Sequence, residues 1–247
     1  MPELGRAALV ATLGLALYAV VAGSIAAVRG RRRLALSAQN ALVAAFATSI
    51  VASLVLVGAL IRHDFSFVYA ADHTSRALPT GYTISAFWGG QEGSLLLWLL
   101  ILTGFSTAVL LVNRRSARDL IAWVTPVLGA VTVFFAFLLV VVATPFATQA
   151  APADGNGLNP SLQNPYMMAH PPLLYLGFVG LTVPFAFAIG ALLARAAPTS
   201  AGSSRRAAGR WSRGRRSASA SCSAPTGPTR RSAGAGTTRG IPSRTPR

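Results

Sequence analysis

The sequence predicts an all-α, polytopic integral membrane protein with about five transmembrane helices and a disordered, Arg-rich C-terminal tail. Three observations carry this prediction. Five apolar runs, at about 8–28, 40–61, 94–113, 120–144 and 172–195, have no charged residue in their interiors. Each is long enough to cross a hydrocarbon core of about 30 Å as a helix, the form that closes its backbone hydrogen bonds internally. Charged residues make up 11% of the 247 and hydrophobic ones 53%, whereas a soluble domain carries roughly a quarter charged residues. The basic residues, all arginine, alternate in density from loop to loop along the chain.

Run 1 (8–28) is followed at once by Arg29, Arg31, Arg32 and Arg33. A cleaved signal peptide is the alternative reading. The long apolar stretch and the basic stop-transfer cluster favour a retained helix. Run 2 (40–61) leads into loop 62–93, whose Arg62 and Arg76 are offset by Asp64 and Asp72. Runs 3 (94–113) and 4 (120–144) flank Arg114, Arg115 and Arg118, and Arg195 closes run 5 (172–195), in which Pro184 should introduce a kink. By the positive-inside rule the arginine-rich loops are cytoplasmic. The N-terminus and loops 62–93 and 145–171 then face outward. Proton and ion pathways usually need an intramembrane carboxylate, histidine or arginine, so chemistry is expected in the outer loops.

Loop 62–93 ends in Trp88-Gly89-Gly90-Gln91-Glu92-Gly93, and Trp98 follows shortly after. The glycines allow close backbone approach. Glu92 is suited to the positive end of a helix and the tryptophans to the membrane interface. Alternatively, Trp88 and Glu92 help shape a binding surface. Loop 145–171 contains Asn159-Pro160-Ser161-Leu162-Gln163-Asn164-Pro165 and then His170-Pro171-Pro172. The proline pair rigidifies the start of run 5 and biases His170 away from helical geometry. A neutral imidazole held there could ligate haem iron or another metal, or simply bond a loop carbonyl. His63 and His73, beside Asp64 and Asp72, read as ordinary solvated loop residues, and no HxxxH or HExxH spacing suggests zinc. The single cysteine, Cys222, provides no disulfide framework and has no assigned role.

The segments WGGQEGSLLLW (Trp88–Trp98) and NPSLQNPYMMAHPPLLYLGFVG (Asn159–Gly180) resemble the CcmF-type cytochrome c haem lyases, or cytochrome c-type biogenesis proteins. The resemblance covers about residues 1–197, the N-terminal portion of a longer family architecture. It implies a multi-pass protein of the bacterial inner membrane that receives haem on the outer face and attaches haem vinyl groups to the CxxCH thiols of apocytochrome c. The implied partners are apocytochrome c, haem-delivery proteins, thiol-reducing maturation proteins and membrane lipid, with no specific nucleic acid. His170 matches the family's first outer-face haem-ligating histidine. Trp88, Gly89, Gly90, Glu92 and Gly93 match the first motif, near the haem site. The family's WGGxxxWDPVENxS loop, its second outer-face histidine and the histidine pair linked to a b-type haem are absent from the translated sequence. The chain is therefore expected to keep His170 but to leave the haem site incomplete, and to be inactive alone.

Residues 1–197 hold 11 Arg and all 6 acids, while 198–247 hold 11 Arg and no acid. Ser232–Pro246 is compatible with codons that, started one base earlier, encode VGWGGYYAWDPVENA, the missing family motif. Arg206–Ala224 likewise permits TRRWTLVAWATFGIGLLLGA, a basic turn followed by an apolar helix. The tail is accordingly expected to be a frameshift product. The rival reading is a genuine basic tail that binds anionic lipid or nucleic acid through phosphates. In that case Arg205, Arg206, Arg210, Arg213, Arg215 and Arg216 would carry most of the binding, with Trp211 the one aromatic among them. Two further alternatives follow: a transporter or channel subunit, with a pathway lined by backbone and small residues, and a membrane-anchored basic module, whose salt-dependent binding would disappear without 198–247.

Overall fold

A computed structural model describes residues 1–113 and 117–196. The expected basic tail, 198–247, lies outside the described residues. The described chain is helical: α1 (Pro2–Arg29), α2 (Arg32–Ile61), α3 (Val68–His73), α4 (Thr80–Ser85), α5 (Gln91–Asn113), α6 (Arg118–Phe137), α7 (Pro165–Gly180) and α8 (Thr182–Ala196). A π turn at Leu138–Val142 extends α6. Five helical stretches are long and apolar enough to cross a membrane: Pro2–Arg29, Arg32–Ile61, Gln91–Asn113, Arg118–Val142 and Pro165–Ala196. The chain is a multi-pass membrane protein. Its helices begin several residues earlier than the first three apolar runs suggest, because residues such as Arg32 and Arg33 continue a helix as well as they border one.

Small residues set how closely the first helices pack. Ala16, Ala19, Ala38, Ala45 and Ala52 are fully buried. Such side chains let helix backbones approach, the main source of association where water no longer drives burial. Hydroxyls then bridge the seam: Thr12 lies 2.7 Å from Thr48, and Ser49 lies 2.9 Å from Thr103. Pro126 sits inside α6, where it cannot donate to the preceding turn. Gly23 of α1 fits against it, since a Cβ there would lie 3.2 Å from the proline ring.

Run 5 is two helices. The turn falls at Leu181, three residues before Pro184, which lacks an N–H for the Gly180 carbonyl. The interruption falls just before Pro184, where the kink was expected. The start of this run differs from expectation. Helix α7 begins at Pro165 and carries His170, Pro171 and Pro172 inside it. The expectation that the proline pair holds His170 out of helical geometry is overturned. The helix is already nucleated upstream, with Asn164 accepting from the Tyr166 amide at 3.0 Å and Pro165 at the first helical position. The Met168 amide also donates to the Asn164 carbonyl at 3.0 Å.

Candidate functional site

The two long loops fold together into one cap at the end of the bundle opposite the arginine-rich turns. An isolated antiparallel bridge pairs Phe67 with Thr148. The amide of Val68 donates to the Ala147 carbonyl at 3.0 Å, and that of Gln149 to the Ser66 carbonyl at 2.9 Å. Farther along, the Asn156 amide donates to the Ala71 carbonyl (2.7 Å) and the Gly157 amide to the Thr74 carbonyl (3.1 Å). Asp154 accepts from the backbone amides of Arg76 at 3.0 Å and Gly155 at 2.8 Å. These two amides, Arg76 first, hold the Asp154 carboxyl below its usual range. Phe146 is fully buried under the cap, edge-on to Phe67 and against Gly5 of α1.

The Trp88–Gly93 motif is built into this cap through Tyr69. The buried Tyr69 hydroxyl donates toward the carbonyls of Ala86 (2.9 Å) and Phe87 (3.1 Å) and accepts from the Gly90 amide (3.1 Å). Burial pushes its phenol well above the ordinary range. The motif glycines are needed because this turn touches its neighbours directly. A Cβ on Gly89 would lie 2.9 Å from Leu158, one on Gly90 would meet the His73 ring, and one on Gly93 would meet the Phe87 carbonyl and the Tyr69 hydroxyl. Trp88 is half-buried against the core beside the cap, and Glu92 lies in the first turn of α5, where a carboxylate suits the helix dipole.

The reading of His63 and His73 as solvated loop residues is overturned. His73 stacks on Tyr69 with ring centroids 4.3 Å apart, and its Nδ1 donates to the Tyr69 carbonyl at 2.9 Å. His63 is half-buried with a positive φ of 51°, and its Nδ1 is buried without a partner among the described residues. The physical reason is that loop 62–93 folds as two short helices pressed against the other loop, which half-buries both histidines.

His170 lies exposed on α7, on a shallow surface of about 680 Å³ formed with Pro165, Tyr166, Met167, Ala169 and Leu173. Among the described residues it makes no hydrogen bond, so the loop-carbonyl alternative finds no partner there. Tyr166 is 85% exposed and Leu173 66%, which leaves an apolar face around a free imidazole. Such residues fit a haem: His170 would supply a nitrogen ligand to iron and its neighbours apolar contact.

The structure connects the two motifs through Tyr175 rather than through His170. The Tyr175 hydroxyl donates to Ser94 Oγ at 3.3 Å, and Ser94 donates to the Trp88 carbonyl at 2.9 Å. The Tyr175 ring also packs on Trp98, centroids 5.3 Å apart, and Trp98 packs on Phe135 at 5.5 Å. Five residues of helix, about 7.5 Å of rise, separate Tyr175 from His170. Sequence reasoning assigned no role to Tyr69, Tyr175 or Ser94. A polar tip inside an otherwise apolar run was the available signal for Tyr175, since a buried tyrosine hydroxyl usually finds a partner.

The model of a family described as "Cytochrome C assembly protein" matches residues 88–222, more than half of the chain. The chain is 40% identical over 195 residues to "Cytochrome c-type biogenesis protein CcmF" of Escherichia coli (strain K12), covering 78% of this chain and 30% of that protein. It is 43% identical over 195 residues to the protein of the same description from Pseudomonas aeruginosa, with the same coverage. Among solved structures, "Cytochrome c Heme Lyase CcmF" superposes with a TM-score of 0.66 at 30% identity, covering 80% of this chain and 31% of that one. The chain thus spans about 30% of the length of these curated relatives.

Proposed function

The chain belongs to the cytochrome C assembly protein family, and from that premise we propose that it serves cytochrome c maturation by offering His170 as an axial ligand to haem destined for apocytochrome c. The observation that carries this reading is the exposed, unbonded imidazole of His170 on an apolar helix face, tied through Tyr175 and Ser94 to the Trp88–Gly93 turn. The loop end faces the outer side of a bacterial inner membrane, and the arginine-rich turns face the cytoplasm. Haem is the substrate carried, and its vinyl groups are the sites of thioether formation with cysteine thiols.

This chain's own groups hold and orient. His170 gives a lone pair to iron. Tyr166, Met167 and Leu173 cover apolar ring surface and exclude water from it. Tyr175 and Ser94 fix α7 against α5, so the imidazole keeps one position relative to the cap. Trp88, Gly89, Gly90, Glu92 and Gly93 act through the shape of the turn and make no chemical step themselves. Apocytochrome c, haem-delivery and thiol-reducing maturation proteins are the partners this reading requires. A second ligand would come from the family's later segments, of which the shifted reading frame of 198–247 would restore only the WDPVEN motif.

Titration of ferric haem into the purified chain in detergent tests the proposal. A Soret shift that saturates near one haem per chain and is lost in His170→Ala supports it. Equal binding by His170→Ala refutes it.

A further inference from the structure

We propose that the arginine-rich end of the bundle contains a binding site for an anionic phospholipid, independent of the haem face. A cavity of about 500 Å³ opens where the end of α1 meets the starts of α2 and α6, and its wall includes Arg31, Arg32, Arg118 and Gln39. Arg31 is the N-cap of α2 and Arg118 opens α6, and among the described residues neither N-cap, Arg31 or Ala117, makes a side-chain capping bond. Two positive helix ends therefore converge with three guanidinium groups. The opposing end of α1 adds the partial negative charge of its last carbonyls, since the amides of Gly30 and Arg31 both donate to one of them, that of Ala26, but about half a charge is outweighed by three guanidiniums. The wall holds one carboxylate, Asp119, and it forms no ion pair with these arginines among the described residues. The balance remains positive.

A second observation points to a ligand. Gln39 belongs to the same wall, is only 5% exposed, and its Oε1 has no hydrogen-bond partner among the described residues. A buried polar group left unpaired is a cost that a partner removes. Gln39 lies seven residues beyond Arg32 on α2, about 10 Å deeper along the helix axis. With a phosphate among the guanidiniums, the glycerol ester groups of a phospholipid fall at that depth. The Gln39 carboxamide, turned to present its NH2, would donate to an ester carbonyl. Leu36, Ala122 and Trp123 of the same wall provide apolar surface for an acyl chain. Basic pockets between membrane helices recognise anionic headgroups by this combination of charge and depth.

The test uses the full chain, delipidated in detergent and titrated with phosphatidylglycerol, phosphatidylcholine or the free headgroup glycerophosphoglycerol, with bound lipid read by native mass spectrometry. The expected result is one phosphatidylglycerol retained at least tenfold more tightly than phosphatidylcholine. Arg31→Gln with Arg118→Gln should weaken it about tenfold, and Arg205→Gln with Arg206→Gln should leave it unchanged. Gln39→Leu should weaken lipid binding about fivefold yet make the lipid-free chain harder to unfold, because the orphaned amide is gone. Equal retention of phosphatidylcholine overturns the proposal. So does competition by free glycerophosphoglycerol at the lipid's own concentration, which marks a soluble-anion site, or loss of binding only in the tail variant. An unchanged lipid affinity in Gln39→Leu removes the ester contact and with it the proposed depth of the lipid.

Discussion

Replacing Gly93 by alanine tests the packing of the Trp88–Gly93 turn. Gly93 is buried in the first turn of α5, and a Cβ there would meet the Phe87 carbonyl and the Tyr69 hydroxyl. The carbonyl is backbone and yields little, so the turn is strained there, and Tyr69 must move as well. Moving it breaks the contacts of its hydroxyl with the Ala86 and Phe87 carbonyls and the Gly90 amide. Overpacking of a filled site costs about 1–3 kcal/mol. Two or three neutral hydrogen bonds add about 1 kcal/mol each. The better helix propensity of alanine returns about 1 kcal/mol. The net loss is about 2–5 kcal/mol.

Gly58 is the internal control. It lies in α2 with nothing within 4 Å of its would-be Cβ, so Gly58→Ala should stabilise by up to about 1 kcal/mol. Unfolding of both variants in mixed detergent–dodecyl sulfate micelles, followed by helical circular dichroism, gives the comparison. Opposite signs are expected. A Gly93→Ala protein within about 0.5 kcal/mol of the parent would show that the turn is loosely packed and that Tyr69 does not anchor it.

Three further outcomes follow from the same structure. Asn164→Ala removes the acceptor of the Tyr166 amide and should cost about 1 kcal/mol, seen as faster hydrogen exchange confined to the first turn of α7; uniform exchange across the cap would contradict it. Tyr69 has its folded-state pKa raised by burial, so its contribution to stability is complete below the unfolded phenol value of about 10 and declines as pH rises above it. Alkaline titration at 295 nm should therefore show one phenolate that emerges late and together with loss of helicity, whereas an early, reversible titration would place Tyr69 in solvent. Sequencing the DNA through codons 190–250 should reveal a one-base shift that opens a frame encoding VGWGGYYAWDPVENA, and an intact frame with other codons would make the tail genuine.

The spans were readable because a membrane helix must be apolar over most of its length, and no other element among the described residues is. The cap was not readable, because its geometry depends on long-range backbone pairing such as Phe67 with Thr148, which leaves no periodic trace in either segment. His73 illustrates the consequence. Beside Asp72 it reads as solvated, yet it lies under Gly90, seventeen residues on, once α3 packs against the turn. The glycines of the Trp88–Gly93 motif were legible as positions of close approach, but the atoms they approach belong to Tyr69, His73 and Leu158 in other parts of the chain. The start of α7 failed for a local reason. Two prolines outweighed the upstream Asn-Pro cap in the reading, although a helix already nucleated at Asn164 tolerates them. His170 was identified by motif, and the structure adds that its imidazole is exposed and uncommitted.

The most direct test of the central claim is chemical rescue of His170→Gly. Ferrous haem bound to the parent chain should be five-coordinate with a histidine–iron stretch in resonance Raman. His170→Gly should lose that band and regain it when imidazole is added at millimolar concentration. An unaltered band in His170→Gly without imidazole would mean that another side chain holds the iron, and the assignment of His170 would fall.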